Sequence, residues 1–193
     1  EDIRCFLQSQ GIGLVGLVKT KVKHENMGEV ASRLFRGWEW YTNVEFNPKI
    51  RIWIAWRCQA YQVTVCNTTE QLIHCQVVQV STRKSFFLTF VYGLNTITQR
   101  QTLWRDLRNI AGIMNLAWGV VGDFNATLYP EERIGGENIN YAELSDFATC
   151  IEDCGLQEVK SAGAFFTWTN KSTWSNLDRM VANSPWYLEM VYT

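Results

Sequence analysis

Apolar residues switch along the chain between helical spacing and strand spacing, and each switch marks the edge of an element. Leu103, Trp104, Leu107, Ile110, Ala111 and Met114 recur at three and four residues, which predicts an amphipathic helix. Leu144, Phe147, Ala148 and Ile151 mark a second such helix, stopped by Gly155. Residues 25–35 predict a third, with Met27, Val30, Ala31 and Leu34 inward, and Ile3, Phe6 and Leu7 suit one face of a short opening helix.

Strand-like runs fill most of the remainder. Ile12–Val18 is a short apolar run of the buried-strand type. Trp38–Asn43, Arg51–Arg57, Tyr61–Asn67, Gln71–Val80 and Ser85–Tyr92 follow, rich in β-branched and aromatic residues and separated by turn-like breaks. Arg51–Arg57 and Ser85–Tyr92 alternate too little for a half-wetted sheet and read as central strands. After the long helix come strand Trp118–Gly122, a polar loop to about Asn140, and two late strands, Phe165–Thr169 and Leu177–Ala182. Helix and strand first mix, then strands run together, then strand–helix units appear. That order predicts an α/β fold of two packed sheets with outer helices, not a regularly alternating doubly wound sheet.

Composition narrows the partners more than the fold. The 193 residues are 47% hydrophobic and 19% charged, enough for a real core and the size of a single domain, 1–193. The formal net charge of -1 means that any nucleic-acid contact must rest on a local basic patch, such as Lys19, Lys21 and Lys23. Six cysteines form no Cys-x-x-Cys pair. The only close two, Cys150 and Cys154, stand at helical i, i+4 spacing, and the set reads as buried free thiols in a reducing compartment rather than a zinc site. His24 and His74 read as surface or strand residues. No apolar run reaches the ~18 residues of a membrane span, and the charged opening Glu1-Asp2-Ile3-Arg4 is unlike a signal peptide. An intracellular protein, of cytoplasm or nucleus, is expected.

The sharpest local signal is Val120-Val-Gly-Asp-Phe-Asn125, an apolar strand ending in Gly-Asp-x-Asn. Polar groups at the carboxyl end of a strand are where α/β folds gather ligands. A carboxylate beside an amide suits phosphodiester hydrolysis: the one can hold or deprotonate water, the other donates to a phosphoryl oxygen without adding negative charge. Gly122 would leave room for a substrate backbone. The same four residues also make an ordinary Asx-turn.

Four further motifs follow a fixed order around it: Phe90-Val-Tyr-Gly93, Glu131-Glu-Arg-x-Gly135, Phe166-Thr-Trp-Thr-Asn170 and Leu177-Asp-Arg179, framed by Gln99-Arg-x-x-Leu-Trp104, Ala117-Trp118, and Asn183 before Trp186. Together they resemble the endonuclease/exonuclease/phosphatase superfamily, and within it the endonuclease domain of plant non-long-terminal-repeat (LINE-type) retrotransposon reverse-transcriptase polyproteins. The resemblance covers roughly residues 12 to 187. It implies a DNase I-like four-layer α/β sandwich, magnesium as cofactor, DNA as partner and nicking as the reaction. It further implies that Asp123 positions and activates water beside the metal, Asn125 holds the phosphate, Tyr92 reaches a phosphate oxygen or the metal site, and Asp178 orients a general-acid histidine. Thr167, Trp168 and Asn170 would sit on a loop near the nucleic acid. Alternative readings are a strand-end Tyr92 with its hydroxyl in water and a core Trp168.

The chain departs from this pattern in ways that predict a domain unable to cut. Where the family carries a metal-binding glutamate in a Glu-Thr pair, this sequence has Lys19-Thr20. An ammonium offers no oxygen ligand. At ~4 Å and a dielectric of about 20 it would repel a divalent ion by roughly 8 kcal/mol, twice the about 4 kcal/mol between unit charges. The sequence opens after the family's first strand, and it ends at Thr193 before its Ser-Asp-His strand. The expectation is therefore a truncated, catalytically inactive relative with little hold on magnesium, or a non-catalytic nucleic-acid-binding or interaction remnant. A small-molecule phosphatase of the same superfamily is a third reading.

Overall fold

The computed structural model describes residues 3–46, 49–136, 141–160 and 162–191. The chain divides into two compact units, residues 1–90 and 91–193.

The first unit opens with α1 (Ile3–Ser9), β1 (Leu14–Lys23) and α2 (Met27–Leu34). It continues through β2 (Glu39–Thr42), β3 (Lys49–Trp56), β4 (Tyr61–Thr68), β5 (Leu72–Gln79) and most of β6 (Ser85–Tyr92). β3 lies between β1 and β2 in an antiparallel sheet, with Val15 opposite Ala55 and Tyr41 opposite Ile54. Ile50, Ile52, Trp53, Ile54 and Ala55 are all buried, which is why β3 shows no polar–apolar alternation. Leu7, Ala31, Phe35, Ile50, Trp53 and Ala55 form the core, with Met27, Val30 and Leu34 of α2 packed against it. β4, β5 and β6 are successive neighbours in the other sheet.

Two expectations for this unit change, and one that spans both units. Ile3 and Phe6 are exposed, because α1 is two turns long and only Leu7, in its second turn, joins the core. β1 runs past Val18 to Lys23 and is half-buried rather than buried. Its register shifts between Val18 and Val22, where Lys19 (φ 58) and Lys21 (φ 52) take left-handed backbone and the Thr20 hydroxyl donates to the Ile50 carbonyl at 2.8 Å. Of the six cysteines only Cys75, Cys150 and Cys154 are buried; Cys5, Cys58 and Cys66 are exposed.

The second unit contains the end of β6, then α3 (Ile97–Ala111), β7 (Trp118–Asp123), β8 (Arg133–Ile134) and α4 (Tyr141–Asp153). β9 (Leu156–Glu158), β10 (Trp168–Thr169), β11 (Trp174–Ser175), β12 (Asp178–Asn183) and the single turn α5 (Ser184–Trp186) complete it, followed by a wide helical turn over Tyr187–Val191. β7 lies between the end of β6 and β12, and β9 pairs with β12 on its other side. A separate ribbon runs β10-β11-β8. Thr96 caps α3 by accepting the Gln99 N–H. The Trp104 and Phe147 rings stack at 4.9 Å, and Arg100–Glu143, Gln101–Asp146 and Arg108–Asp153 link α3 to α4 along their lengths. The partner numbers rise together, so the two helices run parallel.

In this unit Met114 lies beyond the end of α3 and Ala148 is exposed; the α4 spacing instead buries Cys150. Phe165–Thr169 shortens to two residues, with Phe165 exposed, and the short strands β8, β9 and β11 fall in segments whose polar sequence gave no strand signal. The polar loop is described to Gly136; its residues 137–140 lie outside the described residues, as do Glu1, Asp2 and Thr193. Among the described residues no helix is long and apolar enough to cross a membrane.

His74, on β5, is buried beneath the stacked Phe87 ring, with Nδ1 2.8 Å from the Thr89 hydroxyl. Burial pushes its pKa down to about 4. The folded value lies below the unfolded one, so the neutral ring's contribution is complete above about pH 6.5 and is lost as pH falls toward 4. Urea midpoints should drop between those pH values by the equivalent of about 3 kcal/mol, and His74→Gln should remove that part of the pH dependence.

Candidate phosphodiester site

β7 and β12 run antiparallel with Asp123 directly opposite Asp178. Residues paired this way place their side chains on one face of the sheet, with Cβ atoms roughly 4.5–5.5 Å apart. Two carboxylates therefore sit side by side where the strands end. Asp123 is fully buried and Asp178 half-buried.

The chain around Asp123 is pinned from three sides. The Gly93 N–H donates to the Asp123 carbonyl at 2.7 Å, the Phe124 N–H to the Leu177 carbonyl at 3.0 Å, and the Asn125 N–H to Asp123 Oδ1 at 2.9 Å. The last of these is the Asx-turn that the ordinary reading of Gly-Asp-x-Asn expects. It sets Asn125 in left-handed backbone (φ 47), and its side-chain Nδ2 donates to the Gly93 carbonyl at 2.5 Å. One amide hydrogen is thus spent on the loop after Tyr92, and an amide side chain carries a second. Tyr92, just before Gly93, is itself buried.

Both glycines here serve close packing of backbone. A Cβ on Gly122 (φ 142) would strike the Val91 carbonyl oxygen, and one on Gly93 the Phe124 carbonyl oxygen. The space at Gly122, expected to admit a substrate, is filled by the neighbouring strand. Arg100 supports the same loop: it is buried, donates to the Leu94 and Asn95 carbonyls at 2.9 and 3.1 Å, and pairs with Glu143. Burial lowers its pKa, against the raising influence of Glu143, Asp123 and Asp146.

Thr167 reaches this site through the backbone. Its hydroxyl accepts the N–H groups of Leu177 and Asp178 at 3.0 and 3.1 Å, which sets the start of β12. Trp168 is 37% exposed, which removes its reading as a core residue. Asn170 Oδ1 accepts from the Ser172 N–H, the Ser172 hydroxyl and the Thr173 N–H, so it builds its own turn. Tyr92, Asp123, Asn125 and Asp178 are therefore neighbours, with Thr167 attached. Trp168 and Asn170 lie on the ribbon, and Lys19 belongs to the first unit.

The sequence reading missed the ion pair beneath this arrangement. Arg179 donates to both Glu132 carboxylate oxygens, at 2.9 and 2.7 Å, and to Glu158 at 3.2 Å, with the Arg179 and Glu132 side chains 2% and 3% exposed. Glu132 also accepts the Leu128 N–H at 2.6 Å. The available signal was Arg179 standing two before Val181 and so on the same, inward face of the strand; a charge there requires a buried partner.

Magnesium takes oxygen ligands. Asp123 and Asp178 are the carboxylates this strand pair offers, and among the described residues no group of three or more His, Cys, Asp or Glu side chains is disposed to hold an ion. The donor set does not fit a dedicated cation cage.

No protein-family model matches the sequence, and no curated protein matches it. Solved structures do. The endonuclease domain of TRAS1, a telomere-specific non-LTR retrotransposon, superposes with a TM-score of 0.73 at 12% identity over 95% of this chain and 77% of its own. The fold is that of the endonuclease/exonuclease/phosphatase proteins. An endonuclease/exonuclease/phosphatase family protein from Bacteroides thetaiotaomicron gives a TM-score of 0.59 at 9% identity, over 94% of this chain and 71% of its own. D. rerio TDP2, in complex with a single-strand DNA product, gives 0.63 at 12% identity over 93% and 74%. At these identities the likeness is one of fold, and it agrees with the α/β, DNase I-like architecture expected from the motif order.

Two substitutions test this packing. Glu132→Ala strands the buried guanidinium and should cost about 3–5 kcal/mol of stability in urea unfolding. Gly122→Ala combines a collision with a backbone region reserved for glycine and should cost about 2 kcal/mol or more. A midpoint unchanged by either would contradict the packing described.

Proposed function

We propose that residues 1–193 form a single endonuclease/exonuclease/phosphatase-like domain derived from a non-LTR retrotransposon of the plant LINE type. Its ancestral reaction was magnesium-dependent nicking of DNA. This copy retains the phosphodiester-binding face and binds nucleic acid, in cytoplasm or nucleus, without cutting it. The observation that carries the reading is the pairing of Asp123 with Asp178 at the strand ends, with Asn125 held beside the loop after Tyr92. These are the positions to which the motif order assigns water activation, phosphate binding and orientation of the acid.

The same assignment puts Lys19 where the metal-binding glutamate belongs. By that assignment a lysine stands in for a magnesium ligand, so the charge that should collect on a leaving oxygen has no metal ion to meet it. What remains is electrostatic attraction for a phosphate backbone, supplied by the exposed Lys21 and Lys23 together with Lys19. The nearby Glu25 engages Lys23 at 3.4 Å, but both are largely exposed and the pair is weak.

Supercoiled plasmid incubated with the protein and magnesium should stay supercoiled. Nicking that disappears in Asp123→Ala and Asp178→Asn would overturn the non-cutting assignment. DNA binding measured by anisotropy should need no metal and should fall steeply with salt. Replacing Lys19 and Lys21 together by alanine should reduce the slope of log K against log salt by about 2. Binding that is absent, or indifferent to salt, would overturn the nucleic-acid assignment.

A further inference from the structure

The edge of a sheet presents unpaired backbone N–H and C=O groups, and folded proteins guard such edges with charge, proline, distortion or brevity. Among the described residues the sheet edges of this chain follow that rule with one exception. β8 and β10 are two residues long and β9 is three. β2 has four residues and opens on the exposed Glu39. β1 is long, but it carries Lys19, Lys21 and Lys23, and its backbone turns left-handed at the first two. β4 differs. It stands at the end of its sheet with β5 on one side, runs for eight residues, and no charged residue or proline occurs from Cys58 to Thr69. Its one irregularity, a register shift between Val65 and Asn67, leaves Tyr61–Val65 regular.

The register with β5 fixes which groups face outward. The Val80 N–H donates to the Ala60 carbonyl at 2.9 Å, and Tyr61 lies opposite Gln79, Val63 opposite Val77 and Val65 opposite Cys75. Bonded and unbonded pairs alternate along an antiparallel ladder. Ala60, Gln62 and Thr64 therefore spend their backbone groups on β5, while Tyr61, Val63 and Val65 direct theirs to the open edge. The Tyr61 N–H is taken by the Arg57 carbonyl at 2.9 Å. What faces outward is the Tyr61 carbonyl and both backbone groups of Val63 and of Val65. That set is self-complementary about Val63. An antiparallel copy centred there exchanges two bonds between the Val63 residues, and each Val65 N–H reaches the opposite Tyr61 carbonyl. The side chains suit the same register. Half-buried Tyr61 and Val65 come opposite each other on one face as an aromatic–β-branched pair, and exposed Gln62 and Thr64 do so on the other. No like charges meet at the crossing.

We propose that this edge is a dimerisation surface, on which β4 pairs antiparallel with β4 of a second copy of this chain about a two-fold axis through Val63. A two-fold contact uses the same patch on both subunits, and this edge meets that demand in its hydrogen bonds and in its side chains. The uncharged strand also lacks any group that would select a charged partner. A pairing this short holds two copies reversibly, and mass action ties the dimer to protein concentration.

Sedimentation equilibrium of the full chain across a concentration series should show reversible exchange between monomer and dimer. Amide hydrogen exchange should slow at Val63 and Val65 as concentration rises, with the Gln62 and Thr64 amides, already bonded to β5, unchanged. Gln62→Lys together with Thr64→Lys sets lysines opposite lysines on the exposed face. It should raise the dissociation constant about tenfold or more and leave the far-UV circular dichroism as it was; Gln62→Glu with Thr64→Glu should do the same. Mixing the two variants should restore dimers of one chain of each. A single-chain mass up to the limit of solubility, which would leave the edge to some other extended polypeptide, overturns the proposal. So does a dimer that neither folded charged variant weakens, or one in which the wild-type Val63 and Val65 amides exchange as fast as in the monomer.

Discussion

Arg179 and Glu132 meet through two parallel hydrogen bonds with both side chains almost wholly out of water, and the site is arranged around that contact. Arg179 follows Asp178 on β12, and Glu132 lies between the end of β7 and the ribbon strand β8. The pair holds the loop leaving Asp123 against the strand that carries Asp178. Further bonds complete it: Glu132 accepts the Leu128 N–H, its carbonyl accepts the Asn176 N–H at 2.9 Å, and Arg179 donates to the Asn176 carbonyl at 2.9 Å. A buried ion pair adds little net stability against an apolar replacement. It does exclude arrangements in which either charge is left alone, and so favours one course for the loop.

That constraint lets the fold hold two carboxylates side by side. Like charges directly opposite on neighbouring strands repel, so Asp123 and Asp178 would drift apart on a looser scaffold. Here their backbones are held by partners unrelated to the charge: Gly93 and Leu177 on one side, the Thr167 hydroxyl on the other. The buried Arg100 adds a positive charge that acts on Asp123. Packing and hydrogen bonds thus maintain an arrangement that electrostatics opposes.

Much of this was legible from residue order. β6 was read with its observed ends, β7 to within a residue, and the inward face of α3 through Leu103, Trp104, Leu107 and Ile110, because each signal repeats within a few residues of itself. Tyr92, Asp123, Asn125 and Asp178 all lie at or just beyond strand ends, where the backbone bonds of Gly93, Asp123 and Leu177 bring their segments together. What stayed hidden were two-residue strands such as β8 and β11, too short to show a period, and the solvent face of α1, whose apolar residues outnumber the contacts available to them.

Local pattern by itself determined the longer strands and helices and which polar residues close a strand, because spacing along the chain imposes those properties. Tertiary structure alone decided what each polar group is spent on. The second carboxylate beside Asp123 comes from 55 positions away, the partner of Arg179 from 47, and the carbonyl that takes up the Asn125 amide from 32. The room expected at Gly122 for a substrate backbone is taken by the Val91 carbonyl. Buried hydrogen-bonding groups must find partners wherever the packed chain brings them, and a linear sequence does not carry those distances.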